Sequence, residues 1–98
     1  MNYYVYVLSI VVERSVYEQH LPEHRQYLQQ LAAAGTLVLS GPFADRRGGM
    51  VLIQAESEAA ARAIAEADPL VARGVDTYEL RHWRITGGDP QRLRLESV

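Results

Sequence analysis

His24 is the residue of this 98-residue chain best suited to move a proton, because imidazole titrates nearest neutrality and can both take and release one. In the stretch PEHRQYLQQLAAAGTLVLSGP it stands three, four and seven places before Tyr27, Leu28 and Leu31. That spacing sets it on the apolar side of an amphipathic helix, turned toward a sheet. In the first turn of a helix begun by Pro22, the helix dipole and partial burial would both favour the neutral, basic ring. The same spacing also fits a core histidine satisfied by one hydrogen bond, and spacing alone favours that plainer role. A base needs an acceptor on its other ring nitrogen, and Asp68 is the best-placed carboxylate if the end of a second helix approaches the start of the first. Taken by itself, Asp68-Pro69 is a capping pair at a turn.

Other side chains offer weaker chemistry. Ser40 with Gly41 and Pro42 could bind a polar substrate group where a strand ends, although a plain turn explains the same residues. Arg46, beside Arg47, could clamp an anionic ligand through charge-assisted hydrogen bonds, against the commoner reading of solvated loop charges. Tyr6 and Tyr27, with Tyr3 and Tyr4, could line an aromatic-binding cavity or serve as packing. His20 and His24 have the i, i+4 spacing of metal ligands, but a helix that starts at Pro22 leaves His20 outside it, so no metal site is expected. No phosphate-binding glycine loop, nucleophile elbow or dinucleotide fingerprint is present, and no cofactor is implied.

The elements that must position these residues follow from periodicity. Tyr3 to Val12 is rich in β-branched and aromatic residues and reads as a strand with two apolar faces, Tyr4, Tyr6, Leu8 and Ile10 on one and Tyr3, Val5, Val7 and Val11 on the other. Pro22 to Ala34 reads as a helix ended by Gly35, TLVLSGPF as a short strand, and GMVLIQAE as a third strand. Ser57 caps a second helix, SEAAARAIAEA, with Ala60, Ile64 and Ala67 turned inward; Asp68, Pro69 and Gly74 bound a short turn, and VDTYELRHW is the last strand. The order β-α-β-β-α-β predicts an α+β, ferredoxin-like fold: a four-stranded antiparallel sheet with two helices on one face. The other sheet face is left apolar, which predicts a homodimer packed sheet to sheet. The tail from residue 85 to 98 reads as an extended arm.

Composition narrows the classes. With 48% hydrophobic residues the chain supplies one core, hence one domain. A net charge of -2, a pI near 5.9 and ten scattered arginines exclude a basic field for nucleic acid. There is no cysteine, and the apolar N-terminal run is too short for a membrane span, so a cytoplasmic protein is expected.

Together the stretches HRQYLQQLAAAGTLVLSGPF, GGMVLIQAESEAAARAIAEADPLVARGV and YELRHW resemble the YciI-like, or YCII-related, proteins over most of residues 3–84. The resemblance implies a dimeric α+β barrel of ferredoxin-like protomers. It implies a cleft holding a histidine and aspartate that act as a pair, here His24 and Asp68, lined by Ser40, Gly41 and Pro42. It points to cofactor-free proton transfer on a small-molecule substrate, either elimination of HCl from a chlorinated hydroxyhydroquinone or an isomerisation like that of the related muconolactone isomerases, with a non-catalytic ligand-binding protein as the alternative. Leu70, where an aromatic often follows Asp-Pro, and Arg25 after the histidine depart from the commoner family pattern. Those departures leave the pair intact and the substrate unassigned.

Overall fold

The computed structural model describes residues 1–97. Its sheet is built around strand β1, Asn2–Ile10, whose alternate side chains Tyr4, Tyr6 and Leu8 are buried beneath the helices. β1 lies between β3, Gly48–Ala55, and β4, Asp76–His82, and β2, Leu37–Pro42, pairs with the far edge of β3. The order β2-β3-β1-β4, with every pairing antiparallel, is the expected ferredoxin-like α+β topology. Tyr4, Tyr6, Leu8, Val51 and Ile53 form the core with Ala61, Ala65, Leu70 and Val75 from above.

Two close approaches fix the strand register. A Cβ on Gly48 would lie 1.8 Å from the Leu8 carbonyl oxygen, and one on Gly49 would lie 2.7 Å from that of Gly41, so neither position admits a side chain without backbone movement. In β2 the register slips at Val38, between Leu37 opposite Ile53 and Leu39 opposite Leu52. This bulge inverts the alternation beyond it and brings Ser40 into line with Val51 and Tyr6, on the helix-covered face.

Helix α1 corrects the expectation most. It runs from Arg14 to Ala33, with Pro22 inside it. Proline there gives up one backbone bond, but a half-buried stripe of Tyr17, His20, Leu21, His24, Tyr27, Leu28 and Leu31 continues through it at helical spacing. Burying two further turns of that stripe outweighs the lost bond. Gly35 ends the helix at φ 76°, as its type suggested.

Helix α2, Glu58–Ala67, is capped by the Ser57 hydroxyl, which accepts from the Ala60 amide at 3.1 Å. Its inward stripe is Ala61 and Ala65, flanked by half-buried Ala60 and Ile64; Ala67 is exposed, one position off the expected stripe. One-turn helix α3, Pro69–Ala72, follows directly and seats Leu70 in the core.

The outer sheet face is mainly apolar on β1 and β3 and polar on β4. Val5 and Leu52 are covered by their neighbours, whereas Tyr3, Met50 and Trp83 are each more than a third exposed, and β4 presents Glu79 and Arg81 paired at 3.3 Å. The tail is exposed, and Asp89 caps a single 3-10 turn, Pro90–Arg92, within the stretch expected to be extended. Its last residue, Val98, lies outside the described residues.

Candidate functional site

Asp68 is the anchor of the site. It ends α2 and begins α3, a junction forced by the Pro69 ring, and its carboxylate is wholly buried. Three donors converge on it. The Leu70 amide donates to Oδ1 at 3.0 Å as part of the helix cap, the Tyr6 hydroxyl donates to Oδ2 at 2.9 Å, and His24 Nδ1 lies 2.8 Å from Oδ1. A carboxylate out of water is costly unless so satisfied, and the three bonds come from a strand, a turn and a helix, which locks the group against all three.

His24 is eleven residues into α1, not in its first turn, so the positive end of the helix does not act on it. Its environment is set by Asp68. Nδ1 donating to the carboxylate makes Nε2 the lone-pair nitrogen, with no hydrogen-bond partner among the described residues, and the side chain keeps 12% of its exposure. Neighbouring Glu23 fastens the same helix turn to the end of α3, with Arg73 donating to its Oε2 at 2.9 and 3.1 Å. Arg73 first, then His20, hold the Glu23 carboxyl below its usual range.

Tyr6, expected as a lining residue, is wholly buried with its hydroxyl committed to Asp68. Burial first, and then the charge of Asp68, raise the phenol far above its ordinary range, so it stays a donor. Tyr27 stands one helical turn beyond His24 and donates to the Ile64 carbonyl at 2.7 Å, tying α1 to α2; burial and the Asp68 charge raise it too. Ser40 shares a sheet rung with Tyr6 two strands away, roughly 10 Å. Gly41 and Pro42 follow it along the exposed edge. Arg46 does not join this group. It sits in the β2–β3 loop at φ 65°, its carbonyl accepts from Arg14, and it lines a separate cavity of about 350 Å³ with Ile10, Val12, Arg14 and Arg47.

Contrary to expectation, Pro22 does not leave His20 outside the helix: His20 is on α1, one turn before His24. Its Nδ1 faces Glu23 Oε1 at 3.3 Å while His24 is held by Asp68. Among the described residues no group of three or more His, Cys, Asp or Glu is set to hold a metal ion.

One carboxylate near the pair escaped the sequence reading. Asp76 opens β4 on the same alternating set as Tyr78 and Leu80, faces the helices, is 4% exposed, and has an Oδ1 with no hydrogen-bond partner among the described residues. Burial pushes its carboxyl up to about 6, with His24 lowering it and Asp68 raising it further. The signal was a charged residue on a core-facing strand position in VDTYELRHW.

Fold and site together define a ferredoxin-like α+β domain with a histidine–aspartate pair braced between its two helices. The chain belongs to the YCII-related domain family, whose model matches residues 1–84, in agreement with the resemblance carried by its motifs. It is 33% identical over 82 residues to the uncharacterized protein YjpA of Bacillus subtilis (strain 168), covering 84% of this chain and 96% of that one. Among solved structures it is similar to 5-chloro-2-hydroxyhydroquinone dehydrochlorinase (TftG) from Burkholderia phenoliruptrix AC1100, in its complex with 2,5-dihydroxybenzoquinone, with a TM-score of 0.72. That likeness covers 84% of this chain and 93% of the other at 19% identity, and is a likeness of fold. No helix among the described residues is long and apolar enough to cross a membrane.

Proposed function

We propose that this protein is a cofactor-free lyase that eliminates HCl from a small chlorinated, hydroxylated aromatic substrate, with His24 as general base and acid and Asp68 as its orienting partner. The observation that carries the reading is the 2.8 Å bond from His24 Nδ1 to a buried carboxylate with two further donors. It fixes one tautomer, leaves Nε2 free to exchange protons, and supplies a counter-charge for the imidazolium that forms. The similarity in fold to a dehydrochlorinase supports the choice of substrate class.

The chemistry can be written with one base. Nε2 takes the proton of a ring hydroxyl, and the O–H electrons form a carbonyl as the ring carbon bearing chlorine takes that proton from the imidazolium. A second ring hydroxyl then gives its proton to Nε2, its electrons displace the ring double bond toward the C–Cl carbon, and chloride leaves. One quinone, one chloride and one proton result. Ser40 stands on the same sheet face as the pair's supports and is the hydroxyl available to hold a ring oxygen. The outer face of Tyr3, Met50 and Trp83 packs a second copy, giving the homodimer.

The test is to incubate the protein with a panel of chlorinated hydroxyhydroquinones in deuterated water. Equal amounts of free chloride and quinone are expected, with deuterium at the carbon that carried chlorine. Saturable binding without chloride release across the panel would make the protein a ligand-binding module instead.

A further inference from the structure

We propose that Asp76 is a positioning residue of the same site, its buried carboxyl, whose Oδ1 has no partner among the described residues, answering the charge that His24 takes up during proton transfer. The inference rests on the reading of His24 as the base. Asp68 and Asp76 are two carboxylates with opposite surroundings. Asp68 has three donors and is bonded to His24, so it orients the ring and is fixed as an acceptor. Asp76 has a buried Oδ1 with no donor among the described residues, yet it lies within electrostatic reach of both members of the pair. A buried acceptor without a partner is uncommon and calls for a reason, and the groups around it supply one.

The titratable groups whose charge bears on it are Tyr17 and His24 of α1 and Asp68 of the α2–α3 junction, and its cross-strand neighbour on β1 is the apolar Ile10. Arg14 and Arg25 act on Tyr17 rather than on Asp76. The mobile positive charge among these neighbours is the imidazolium of His24. With burial holding its carboxyl near 6, Asp76 is charged at neutral pH and becomes neutral a little below it. A proton on His24 is therefore answered at neutral pH by the bonded Asp68 and by the charge of Asp76, and in mild acid the second of these is lost. Separating orientation from charge balance in this way leaves Asp68 undisturbed while the site gains or loses a counter-charge.

The experiment is a carbon-13 titration of aspartate side-chain carboxyls in the full chain, wild type against His24→Gln and Asp68→Asn. The Asp76 carboxyl is expected to titrate near pH 6, to move to higher pH in His24→Gln, and to move to lower pH in Asp68→Asn. In parallel, Asp76→Asn is expected to shift the acid limb of the chloride-release profile to lower pH and to reduce the plateau about tenfold, one pK unit's worth of charge stabilisation. An Asp76 carboxyl that titrates near the ordinary aspartate range, or that ignores His24→Gln, overturns the proposal. The titration needs no substrate, so a chain without dehydrochlorinase activity still tests Asp76. Conversely, turnover lost in His24→Ala but keeping its pH profile in Asp76→Asn removes Asp76 and leaves His24 in place.

Discussion

At the scale of single residues, the site is a set of hydrogen bonds converging on Asp68. The His24–Asp68 pairing was open in the residues alone, where spacing favoured a core histidine and a capping aspartate, and was pointed to by the family resemblance; the bond between them stands although His24 lies mid-helix and not in a first turn. Tyr6 was legible as packing or as a cavity lining, since nothing in its spacing tells that its hydroxyl ends under the α2–α3 junction. Tyr6→Phe removes one donor from the buried carboxylate, and should cost about 1–3 kcal/mol in urea unfolding while lowering turnover less than loss of His24. Asp76 makes a different prediction. Its carboxyl is raised from an unfolded value of about 4 to about 6, so the folded state binds that proton more readily than the unfolded chain. Ionising it costs stability fully above pH 6, and the cost fades as pH falls toward 4. Asp76→Asn should therefore stabilise the fold by about 2–3 kcal/mol at pH 7.5, and the gain should vanish by pH 4, in denaturation curves at the two pH values.

Among the elements, the strands and caps were legible, as was the end of the first helix, but its start was not. Ser57, Gly35 and Gly74 marked helix ends by chemistry that acts locally, so neighbouring residues were enough to read them. Pro22 looked like such a mark, but a proline at the start of a helix and one tolerated inside it differ only in whether the apolar stripe continues upstream, and Tyr17 and Leu21 continue it. The β2 bulge was hidden for a related reason: strict alternation cannot show an extra residue, and only pairing with β3 reveals that Ser40 changes face. Because Pro22 is exposed within α1, Pro22→Ala should raise stability by about 1–3 kcal/mol, read as an upward shift in melting temperature. A helix beginning at Pro22 would instead leave stability level or lower.

For the whole molecule, the helices cover one face of the sheet, and the other carries an apolar patch on β1, β3 and the end of β4 beside the polar Glu79–Arg81 pair. The apolar character of both faces of β1 was evident in its residue pattern; the polar character of β4's outer face narrows the patch that a second copy would cover. Sedimentation should report twice the 11.0 kDa chain mass, and Met50→Glu should shift it toward a single chain, whereas a wild-type protein sedimenting as one chain would contradict the dimer.

The most direct test of the central claim is the rate of chloride release from a chlorinated hydroxyhydroquinone by wild type and by His24→Ala, with circular dichroism confirming the fold of both. A base held by Asp68 predicts a loss of about 10²–10⁴-fold in the variant. A folded His24→Ala protein that releases chloride at the wild-type rate would contradict it.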